Sequence, residues 1–76
     1  MLSTGEKSYC AALLALKRKE YHKALEQFVV AAPFFKENTE FNLLFETTRL
    51  LVTVGHELNR LEKEDVIEVE EVFSNG

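Results

Sequence analysis

The side chains that could do chemistry in this 76-residue chain are few: one cysteine, Cys10, and two histidines, His22 and His56. A cysteine nucleophile needs a base beside it and a further group to orient that base. Nothing in the spacing places either histidine next to Cys10. A zinc site wants three or four convergent ligands, commonly in closely spaced pairs. Cys10, His22 and His56 stand far apart, and His56 with Glu57 supplies too few. His22, between Tyr21 and Lys23, falls on the polar side of its segment. His56 follows Gly55, where it can help finish a helical stretch. Six carboxylates crowd the C-terminal part: Glu62, Glu64, Asp65, Glu68, Glu70 and Glu71. Paired carboxylates can work as acid and base, but without an apolar setting they form a solvated face. No glycine-rich phosphate loop is present. The expectation is a protein that is not an enzyme, with no catalytic, cofactor-binding or metal-ligating residue.

Charge and composition narrow the class. Hydrophobic residues make up 46 % and charged residues 29 %, as in an ordinary globular domain. A net charge of −4 argues against nucleic acid, whose binding is driven by neutralising phosphates. The uncharged stretch from Gln27 to Phe35, which no other exceeds, is far too short to cross a bilayer. The N-terminus lacks a basic start followed by an apolar run. These features predict a single domain over residues 1–76, placed in the cytoplasm, with neither nucleic acid nor membrane as partner. With one cysteine there is no disulfide within the chain, and a core this small rarely supplies more than about 3–5 kcal/mol. Regular helix packing or a second subunit must make up the difference.

The elements that position these residues are helical. Ser3 and Glu6 have the spacing of a capping box. The helix that follows reaches about Lys17 to Lys19, with Tyr9, Ala12, Leu13 and Leu16 on one stripe. A second helix opens at Glu20 or Tyr21 with the stripe Tyr21, Ala24, Leu25, Phe28 and Ala32. Pro33 should stop it, since proline removes a donor and turns the preceding residue away from α. A loop from Phe34 to Asn38 follows, and Asn38 or Thr39 caps a third helix reaching about Glu62. That helix carries two apolar stripes. One is Phe41, Leu44, Phe45, Thr48 and Val52; the other is Leu43, Thr47, Leu50, Val54, Leu58 and Leu61. A helix apolar on two faces is expected at the centre of its fold. Asp65 to Phe73 reads as a further C-terminal helix with Val66, Val69 and Phe73 on one face. The fold class is therefore all-α, a small antiparallel helical bundle with one long central helix and a C-terminal helix.

Tyr21, Ala24, Leu25, Phe28 and Ala31 match, place for place, the second helix of a tetratricopeptide repeat, and the segment 8–33 resembles that helical hairpin. In that family a small residue twelve places before the alanine lets the two helices approach closely, and Ala12 stands there. The first helix departs from the pattern, with Ser8, Ala11 and Ala15 where large residues are usual. One period further on, Leu58 and Glu62 replace the expected alanine and aromatic, so the second repeat is degenerate or absent. Some members grip the C-terminal carboxylate of a chaperone with polar residues on their first helices. Tyr9 and Leu13 occupy those places here, so that activity is not implied.

The resemblance implies a protein–protein interaction module. So does surplus apolar surface: Val30, Phe34, Phe35, Leu43 and Leu50 exceed what two or three helices can hide on one side. These five are the expected partner-binding residues, toward a protein partner or a second copy in a homodimer. Charge is also polarised. Lys17, Arg18, Lys19 and Lys23 surround the first turn, while the chain beyond Glu57 is strongly acidic. An alternative function is a small accessory or antitoxin-like regulatory subunit that masks another protein through its acidic C-terminal segment.

Overall fold

The computed structural model describes residues 2–74, and side chains over 2–63. It is all-α, with three helices in the order α1 (Thr4–Lys17), α2 (Tyr21–Glu37) and α3 (Phe41–Ser74). Adjacent helices run antiparallel. The capping box forms as the sequence predicts: the Glu6 amide donates to Ser3 Oγ at 3.1 Å, and the Ser3 amide to the Glu6 carboxylate at 3.4 Å. One side chain thus satisfies an amide that the first helical turn would otherwise leave open.

The two turns are built alike. The Glu20 amide donates to the Ala15 carbonyl and the Lys19 amide to the Leu16 carbonyl. Twenty residues on, Glu40 donates to Phe35 and Thr39 to Lys36. Each is a Schellman closure, in which one left-handed residue reverses the chain and occupies the helix's last carbonyls. That residue is Lys19 (φ 61°) in the first turn and Thr39 (φ 55°) in the second, both non-glycine. The carbonyls of Glu20 and Glu40 then accept from Ala24 and Leu44, opening the next helix without a spacer. Asn38 therefore caps the end of α2, not the start of the third helix as the sequence suggests. Its side-chain amide donates to the Phe34 carbonyl at 2.8 Å.

Three features differ from expectation. Pro33 lies inside α2, which continues to Glu37. An interior proline costs about 3 kcal/mol, yet Pro33 is exposed, so the Val29 carbonyl it leaves unpaired can face water. Continuing the helix buries Ala31 and Phe35, on opposite sides of the proline in sequence. Burial of a phenylalanine alone contributes roughly 1.5–3 kcal/mol. Secondly, the expected separate C-terminal helix is continuous with α3. Whether Val66, Val69 and Phe73 share a packed face lies outside the described side chains. Thirdly, the long helix is not central. The substantial helix contacts are α1 with α2 and α2 with α3, so α2 is the middle layer.

The core is small and close-packed. Ala12, Ala15, Ala24, Phe28 and Val54 form its buried cluster, with Tyr9, Leu16, Tyr21, Leu25, Leu50, Leu51 and Leu58 packed around it. Ala12 and Ala24 are both fully buried in that cluster, one from each helix of the first hairpin. Small residues at these places let α1 and α2 approach. The Tyr9 ring meets Phe28 and Phe35 edge-on, each at 6.0 Å between centroids.

Candidate functional site

Among the described residues, no group of three histidine, cysteine or acidic side chains could hold a metal ion. Cys10 is exposed on α1, and His22 and His56 are exposed on α2 and α3. No described helix is long and apolar enough to cross a membrane. What the fold leaves on its surface is apolar side chains, and their placement follows from how α3 uses its two stripes.

The stripe Leu43, Thr47, Leu50, Val54, Leu58 and Leu61 turns inward. Thr47 and Val54 are buried, and the four leucines are half-buried. The residues at closest approach are the small β-branched ones, as a tight helix contact requires. The other stripe then points away: Phe41 is 64 % exposed, Phe45 71 % and Val52 50 %. Leu44, on the same stripe, is half-buried where α3 meets α2. There a groove of about 430 Å³ is lined by Val29, Ala32, Pro33, Lys36, Leu44 and Leu51. Leu44 joins groove and stripe, so the apolar surface runs from the back of α2 onto the outer face of α3.

The five residues expected to bind a partner are thus divided. Val30 and Phe34 are exposed on α2. Phe35 is 1 % exposed, inside the chain's own core beneath Tyr9, where no partner reaches it. Leu50 packs against the core and Leu43 is half-buried, both on the inward stripe of α3. The strongly exposed Phe41, Phe45 and Val52 stand in the sequence on one of the two apolar stripes of α3. The signal that separates them is the size of the residues: the bulky aromatics sit on the stripe that cannot approach another helix closely.

Two ion pairs flank the exposed stripe, Glu46 with Arg49 and Glu57 with Arg60, each within one turn of α3. Hydrogen bonding to the neighbouring arginine holds both carboxyls below the usual glutamate value. The pair opposite, Lys23 with Glu20, spans the first turn at 3.5 Å. A shallow depression on α3 is lined by Val52, Gly55, His56 and Asn59. Apart from its chain neighbours and its own helix backbone, no described atom lies within 4 Å of the point where a Gly55 β-carbon would be. No protein-family model, curated protein or solved structure matches the chain.

Proposed function

We propose that the protein is a non-enzymatic protein–protein interaction module. It resembles a tetratricopeptide-type hairpin extended by a third helix, and it binds a protein partner or a second copy through apolar helix faces, in the cytoplasm. One observation supports this above the others: Phe41, Phe45 and Val52 lie exposed on one face of α3, continuous with the groove beside Val29 and Pro33. Isolated apolar residues on a surface are ordinary, but a contiguous apolar strip marks an interaction site. Solvating two phenylalanines forgoes roughly 1.5–3 kcal/mol each that burial would return. A partner helix on this face recovers that free energy.

The test pairs two measurements on the full chain. Sedimentation reports self-association, and affinity capture from the native cell reports other partners. Each is run on wild type, Phe45→Glu and the double variant Val30→Glu/Phe34→Glu. The expected result is an association, with self or with a captured protein, that an apolar-face variant abolishes while helicity is retained. Cys10→Ser, His22→Ala and His56→Ala should leave it within about 0.5 kcal/mol, the range of surface changes away from special features. If no association differs between wild type and the face variants, or if a turnover activity depends on Cys10 or either histidine, the proposal is wrong.

A further inference from the structure

We draw no further inference here: the strongest candidate, the apolar strip of Phe41, Phe45 and Val52 on the outer face of α3 with the groove beside Val29 and Pro33, is the surface already described, and nothing in the structure shows what covers it.

Discussion

Gly5 and Phe34 touch across the open end of the first hairpin: a β-carbon built on Gly5 would lie 2.7 Å from the Phe34 β-carbon and 3.3 Å from the Phe35 ring. The Phe34 β-carbon is fixed to the backbone of α2 and cannot swing aside. Gly5→Ala should therefore push α1 from α2. Overpacking of this kind costs typically 1–3 kcal/mol, more than the helix propensity of alanine returns near a helix start. Gly55 has no neighbour to strike, so Gly55→Ala should stabilise by up to about 1 kcal/mol. Thermal unfolding of both variants in a Phe45→Glu background, free of any effect on association, should show shifts of opposite sign. Shifts of equal sign would contradict the packing of α1 on α2.

Ala24 tests the same interface at its centre. It is fully buried in the cluster that holds Ala12. Ala24→Leu should overpack the hairpin and cost about 1–3 kcal/mol. For a domain of this size that is a fall of roughly 4–8 °C in Tm per kcal/mol. An unchanged melting temperature would count heavily against the hairpin.

Thr39 holds a left-handed conformation, at φ 55°, that a β-branched residue adopts only under constraint. Strain of this type costs about 1–3 kcal/mol. Thr39→Gly removes it, against a loss of unfolded-state restriction of roughly 0.5–1 kcal/mol. The net expectation is a gain of about 1 kcal/mol by chemical denaturation, with the slope unchanged. Lys19→Gly should gain less, since lysine is not branched at its β-carbon.

Thr47 is fully buried and its hydroxyl has no hydrogen-bond partner among the described residues. Its neighbours on α3 behave differently: Thr48 donates to Leu44 and Thr53 to Arg49. A buried hydroxyl left unsatisfied costs about 1–3 kcal/mol. Thr47→Val keeps the shape and removes the polar atom, and should raise stability by about 1 kcal/mol. A loss of stability would mean that the hydroxyl has a role in the folded chain.

Local signals in the sequence located most of the helical boundaries. The Ser3–Glu6 capping box, the start of α2 at Tyr21 and the inward stripe of α3 all stand where residue type and spacing put them. What spacing alone does not carry is competition between elements. Pro33 is a helix breaker by its own chemistry, and only the burial of Phe35 a half-turn later overrides it. Phe35 reads as a surface residue for the same reason: with the helix ended at Pro33, it has no core to enter. Both stripes of α3 are apolar, and helical spacing alone does not rank them. Their side-chain sizes do, because Thr47 and Val54 permit an approach that Phe41 and Phe45 forbid. The left-handed residues of the two turns carry no mark in the sequence, because Lys19 and Thr39 stand where glycine is usual.

The layering, with α2 between α1 and α3, makes the chain mechanically one-dimensional. Among the described residues each outer helix is held mainly by its interface with α2, and α1 and α3 meet each other only weakly. Lifting α3 leaves the α1–α2 hairpin closed over Ala12, Ala24 and Tyr9; lifting α1 leaves α2 and α3 paired. No such partial opening releases α2. Amide hydrogens of α2 around Ala24 and Phe28 should therefore exchange only on global unfolding, while those of α1 and α3 exchange through cheaper, separate openings, as in stacked repeats where stability is the sum of neighbouring contacts.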